Sequence, residues 1–266
     1  MIRSTVALFL FLPIIVSVPF IADAQAGSPL IADAQDVAGL LRRATQLEAQ
    51  FREEEALPVY QEVLRRQPDQ VVALCRCSDL SCRIGNRQTN RDKKIACFKE
   101  GNAYARSAWR LDSTNSEVNI AMAFSLARMA LIQGGKERVA AARDIRRYAE
   151  NAIRYDPKSY KAWHILGRWN YEVSSLNAIE RFFARWFFGA LPEASLDDAI
   201  ASYEKSMALK PDFMLNYYEL ARCYRREGQK DKAIRLLRQM EALKEEMYDD
   251  REVRLQGRQL LKELED

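Results

Sequence analysis

Leu196–Pro211 reads LDDAIASYEKSMALKP, and Asp231–Leu243, which answers it, reads DKAIRLLRQMEAL. Ala199, Tyr203, Ser206 and Met207 recur at helical spacing, and Lys210-Pro211 ends the run. Ala233 follows Ala199 by 34 residues. Between them Tyr217, Leu220, Ala221 and Tyr224 mark another helix, with Gly228 at the turn that follows. Ala221 and Ala233 fall where two helices of a pair would cross. Only a small side chain there lets the axes approach to ~8–10 Å.

A 34-residue period of paired helices is the tetratricopeptide-repeat (TPR) signature, with W-x2-L-G-x2-Y on the first helix and Ala, an aromatic and Pro on the second. The same grammar runs upstream. Trp163–Gly167 gives W-x2-L-G, and Ala123, Leu126 and Ala127 fill those places one unit earlier, followed by a second helix at Asp144–Tyr155 closed by Pro157. Leu74, Cys77 and Ser78 pair with Gly101, Ala105 and Ala108. Leu40, Ala44 and Leu47 pair with Ala56, Tyr60, Val63 and Pro68. The expectation is an all-α, TPR-like superhelix: a right-handed solenoid of about five units over 37–245 (37–69, 70–113, 116–157, 158–211 and 212–245). Residues 246–266 form a C-terminal capping helix, because a terminal repeat otherwise exposes its apolar face. Three units carry longer turns than the motif allows, near Ile84–Ala96, Gln133–Ala142 and Ser174–Glu193.

Composition agrees with helices and excludes several functions. Gly and Pro number only 10 and 8, too few for the turns of an all-β fold. The formal charge of +4 lacks the density expected of a nucleic-acid binder. His164 is the single histidine, which removes most zinc sites and most Ser/His triads. No Gly-rich phosphate loop, G-x-S-x-G or H-E-x-x-H occurs. The chain reads as a non-enzyme without cofactor or metal. Asp197-Asp198 opens a helix, where acidic charge complements the dipole.

The N-terminus reads as an address. Arg3 precedes an apolar run from Thr5 to Ile21, and small residues at Ala22, Ala24 and Ala26 suit a signal peptidase. Residues 1–26 are expected to be a cleaved signal peptide and 27–36 a linker. The chain would then be exported, periplasmic or secreted if bacterial; the alternative is a leader retained as a membrane anchor. Export would place Cys75, Cys77, Cys82, Cys97 and Cys223 in an oxidising compartment. A disulfide such as Cys82–Cys97 is one reading of their crowding, and small buried residues within a helix pair are the other.

A family resemblance rests on residues from about Asp92 to Pro211. KKIACFKEGNAYARSAWRLD is followed by W-H-x-L-G-x-W at Trp163–Trp169 and by an aromatic-rich insert at Glu180–Pro192, which generic TPRs lack. This stretch resembles the regulator of microtubule dynamics family. The resemblance implies a TPR-like fold and, for eukaryotic members, association with microtubules and with mitochondrial or endoplasmic-reticulum membranes.

Solenoid function lies on the concave face, lined by the first helix of each unit. Aligned on the small crossing residues, the last three units place Arg128, Arg168 and Arg222 in one column. Lys161, His164 and Arg225 take other groove-facing steps, as do Arg42, Arg76, Arg83 and Arg226. A column of guanidinium groups favours carboxylates through charge-assisted hydrogen bonds. The expected partner is therefore a protein or peptide, acidic in character; the competing reading is a basic face paired with local Glu. In the insert, Phe182, Phe183, Trp186 and Phe187 share a helical stripe with Ile179. That stripe either packs between units or meets a membrane interface or partner helix. The function expected is that of an exported scaffold or adaptor, the alternative being a membrane-anchored relative of the family at organelle membranes or microtubules.

Overall fold

The computed structural model describes residues 29–177, 185–186 and 192–266. Among the described residues the chain forms eleven helices and no strand. They are α1 (Pro29–Ala49), α2 (Glu53–Arg66), α3 (Val71–Arg87), α4 (Arg91–Leu111), α5 (Ser116–Ala130), α6 (Gly135–Tyr155), α7 (Tyr160–Ser174), α8 (Leu196–Leu209), α9 (Met214–Arg226), α10 (Lys230–Glu241) and α11 (Asp250–Glu265).

The helices pack in consecutive pairs: α1 with α2, α3 with α4, α5 with α6, α7 with α8 and α9 with α10. The first helices α3, α5, α7 and α9 also touch in series, and they line one face of the stack. Side-chain caps set where helices begin. Gln70, Asn90, Asn115, Ser159 and Ser195 each accept a hydrogen bond from a backbone N–H in the first turn of the next helix. At the α9–α10 turn Gly228 takes φ +82°, a left-handed conformation that glycine adopts without a Cβ clash.

Small residues sit where helices cross. Ala44, Ala56, Ala105, Ala108, Ala149, Ala152, Ala162, Ala199, Ala221 and Ala233 are fully buried. Gly167 on α7 faces the Tyr203 ring of α8, and a Cβ there would stand 2.9 Å from Tyr203 Cδ1. The crossing thus brings backbone onto an aromatic face. Burying a side chain of that size contributes ~1.5–3 kcal/mol. The apolar core falls into blocks along the stack. One is built on Tyr60, Val63 and Leu80 from α2 and α3. A second centres on Val118, Tyr148 and Trp169 from α5, α6 and α7. A third centres on Tyr203, Leu220 and Leu237 from α8, α9 and α10. α11 covers the last pair with Val253, Leu260 and Leu264.

Several expectations need correction. α1 begins at Pro29, so most of the segment read as a 27–36 linker is helical. The long turns expected near Ile84–Ala96 and Gln133–Ala142 are absent, since helix runs to Arg87, restarts at Arg91, and starts again at Gly135. Gly85, within the stretch read as a long turn, is a packing residue: a Cβ there would lie 2.6 Å from Cys97 Cβ on α4. All five cysteines are free thiols, and Cys82 and Cys97 are not bonded to one another. The two are staggered across the α3–α4 seam. Cys82 fills the space over Gly101 while Cys97 lies against Gly85, a turn away on each helix. Burial pushes the Cys82 thiol up to about 12, which leaves it a small apolar residue rather than a thiolate. The leader, residues 1–26, lies outside the described residues, as do Phe182, Phe183 and Phe187 of the insert. Trp186 is described and is exposed.

Candidate functional site

The concave face carries most of the charged side chains picked out in the sequence, and their partners divide it into three stretches. Toward the N-terminus Arg83 on α3 is buried among carboxylates, with Nη2 at 2.9 Å from Glu53, 3.5 Å from Asp79 and 3.7 Å from Glu48. Arg76 pairs with Glu48 and stands 3.8 Å from Asp79. Burial raises the Glu53 pKa, with Arg83 and Arg87 acting against it. Asp79, despite burial, is held below the usual carboxylate range by Arg83 and Arg76. These charges satisfy one another.

Toward the C-terminus the column of arginines closes on a single acid. Glu219 on α9 is 2% exposed and accepts hydrogen bonds from Arg168 on α7 and from Arg222 on its own helix, the latter at 2.7 Å. Arg168 also bonds Glu172 at 3.0 Å, and Arg222 lies 4.7 Å over the Tyr171 ring. Arg226 caps the end of α7, donating to Ser174 O at 2.7 Å and to Ser175 Oγ at 2.7 Å. Lys161 reaches Glu117 at 3.0 Å, and Arg225 reaches Glu263 at 3.2 Å.

His164 does not line the groove as its step predicted; it is buried in the wall. Its ring packs edge-on against Tyr203 and Phe213, and its Nδ1 meets Asn216 Oδ1 at 3.0 Å. Asn216 Nδ2 donates to Tyr203 O, which leaves its Oδ1 to accept a hydrogen bond from the imidazole Nδ1–H. Burial lowers the His164 pKa, against the hydrogen bond to Asn216, so the ring is neutral near pH 7. A neutral ring with Nδ1 engaged in the wall is a packing element, not a groove-side base.

Arg128 on α5 lies between these two stretches and differs from both. It makes no ion pair among the described residues. Its ring-facing side lies 4.8 Å over Phe124, and Nη1 reaches only the amide oxygen of Asn86, at 3.4 Å. Its buried Nε has no hydrogen-bond partner. Burial pulls its pKa below the ordinary arginine value. Asp79, Asp249 and Arg168 stand within electrostatic reach without touching it. A half-buried guanidinium with no carboxylate of its own is suited to receive one, for which arginine's planar donors are shaped. Among the described residues no group of three or more His, Cys, Asp or Glu is placed to hold a metal ion, and no helix is long and apolar enough to cross a membrane.

Sequence reasoning found the arginines and missed their acids. Glu219 sits three residues before Arg222 on one helix face, a spacing at which such pairs form, so the signal was present. Asp79 likewise lies at i,i+3 and i,i+4 spacing from Arg76 and Arg83 on α3, whereas Glu48, Glu53 and Asn216 meet their partners across helices, where one-dimensional spacing gives no cue.

The family model described as "Regulator of microtubule dynamics protein 1-3" matches residues 40–265. Regulator of microtubule dynamics protein 3 of Xenopus laevis is 28% identical over 161 residues, 60% of this chain and 35% of that protein. Regulator of microtubule dynamics protein 1 of Caenorhabditis elegans is 24% identical over 173 residues, 62% of this chain and 71% of that protein. The chain therefore matches about a third of the length of the frog relative and of the mouse protein of the same name, 35% and 32%. Among solved structures, a thermophilic TPR protein of Thermus thermophilus superposes with a TM-score of 0.63 at 16% identity, covering 85% of this chain and 99% of that one. That likeness establishes the TPR-type fold. The relatives also correct the expected location. They come from frog, mouse and nematode and are named for microtubule dynamics, so an exported, periplasmic or secreted protein is the wrong context for this chain.

Proposed function

This chain belongs to the regulator of microtubule dynamics protein 1–3 family, and from that premise we propose that it is a non-enzymatic helical-repeat scaffold whose concave groove holds a protein or peptide partner by an acidic group docked at Arg128. The observation that carries this reading is the contrast within the arginine column. Arg168 and Arg222 share Glu219, whereas Arg128 pairs with no carboxylate among the described residues. A partner carboxylate would supply the missing counter-ion, and a charge-assisted hydrogen bond to it contributes ~1.5–3 kcal/mol.

The test uses a fluorescein-labelled hexaglutamate peptide and fluorescence anisotropy at low salt. Arg128→Ala is expected to weaken binding at least about tenfold, and Arg225→Ala, outside the column and paired with Glu263, to change it little. Equal affinity for wild type and Arg128→Ala would remove the reading. The relatives' names supply a second assay: co-pelleting with microtubules, in which Arg128→Ala should lower the bound fraction if the same groove is used.

A further inference from the structure

The loop before α11 reaches back across the stack. Asp249 occupies the N-cap position of α11, where an Asp side chain ordinarily accepts from the first-turn N–H groups. Its carboxylate makes no such cap. Instead Asp249 Oδ1 accepts from Arg87 Nη1 at 3.0 Å, between residues 162 positions apart in the chain. The neighbouring Tyr248 ring lies 4.1 Å beneath the Arg87 guanidinium, a cation–π contact. Arg87 is anchored on its own side by Glu53 at 2.8 Å.

The base of the loop is fixed, so its tip is aimed. Asp250 accepts from the backbone N–H groups of Glu246 and Met247, both at 2.8 Å. Arg254 donates to Glu241 O at 2.7 Å and to Leu243 O at 2.8 Å. Tyr248 and Asp249 project to α3, and the carboxylate they bring lies within electrostatic reach of Arg128 as well. The first and last parts of the stack are thus joined by one acid and one ring, beside the unpaired cation.

We propose that Tyr248 and Asp249 form an internal clasp, in which the chain's own carboxylate engages Arg87 and competes with an acidic partner for the positive charge of the groove. This rests on the groove reading above. A closed clasp lowers apparent affinity by the fraction of molecules that are open. With Arg87 and Asp249 both partly exposed, one such pair and one cation–π contact hold the open fraction to roughly a third to a tenth.

Two readouts on the full chain separate the clasp from the groove. Hydrogen exchange of the 248–250 amides should accelerate about three- to tenfold in Asp249→Asn. The same variant should bind labelled hexaglutamate about three- to tenfold more tightly. Asp69→Asn, the same charge change in the exposed α2–α3 turn, should do neither. Unchanged exchange in Asp249→Asn overturns the clasp whatever the peptide does. Faster exchange with hexaglutamate affinity no higher than in Asp69→Asn overturns the gating while Arg128→Ala still weakens binding. If Arg128→Ala has no effect either, the groove reading has failed and the gating falls with it.

Discussion

Arg128 and Arg222 occupy equivalent steps of their units, yet one lacks a counter-ion and the other shares a buried one. The difference lies on the neighbouring helix faces. α9 places Glu219 three residues before Arg222 and directly across from Arg168. α5 places Ser125 three residues before Arg128, and its hydroxyl is engaged with Asn102 and Met122 O. One extra carboxylate turns a pair of potential ligand-binding cations into a structural tie between units. A repeat protein can therefore carry the same residue type along a column and give it opposite roles.

Removing the tie should have the largest effect. Glu219→Ala leaves two cations facing each other, with only Arg168 keeping a second acid, Glu172. Breaking a buried pair costs ~3–5 kcal/mol, and the exposure of Arg168 and Arg222 brings the expected loss to about 2–3 kcal/mol by urea denaturation. A loss under about 0.5 kcal/mol would mean the tie is ornamental. Arg222→Ala should cost less, about 1–2 kcal/mol, because Arg168 still satisfies Glu219.

Next comes pH. His164 is the single histidine, and its folded pKa is lowered by burial. The unfolded chain therefore binds the proton more readily between the folded value and the ordinary 6.5. The stability from keeping this ring neutral is full above the unfolded value and is lost as pH falls through the folded one. Melting temperature should drop from pH 7.5 toward pH 5 more steeply in wild type than in His164→Gln. Glu53 and Asp250, raised by burial, act with the opposite sign at the acid end, and comparing the two proteins cancels them. Parallel pH profiles would show that the His164–Asn216 contact is not maintained.

Arg128→Ala should have the smallest effect on stability, within about 0.5 kcal/mol. It removes no ion pair and relieves an unsatisfied buried Nε. A cost near that of Arg222→Ala would contradict the difference drawn between the two arginines.

The helical class and the TPR relationship were legible because small residues at crossings and the Trp163–Gly167 signature leave little other use for that pattern. Turn lengths were not. Gly85, Asn86 and Asn90 read locally as a loop, while helix continues through Gly85 because α4 packs where a Cβ would stand. The arginine column was legible as a list and illegible as electrostatics. Which guanidinium stays open depends on Glu219 and Asp249, and the second meets its partner from 162 residues away. His164 was misplaced for a related reason, since the first helix of a unit packs on both neighbours and has few steps free of contact.

The most direct measurement follows the arginine Nε–H signals by NMR as hexaglutamate is titrated into the full-length protein. The Arg128 signal should shift as its guanidinium gains a counter-ion, while those of Arg168 and Arg222 stay in place. Movement of Arg168 or Arg222 with Arg128 unchanged would contradict the assignment of the groove's acid-binding site to Arg128.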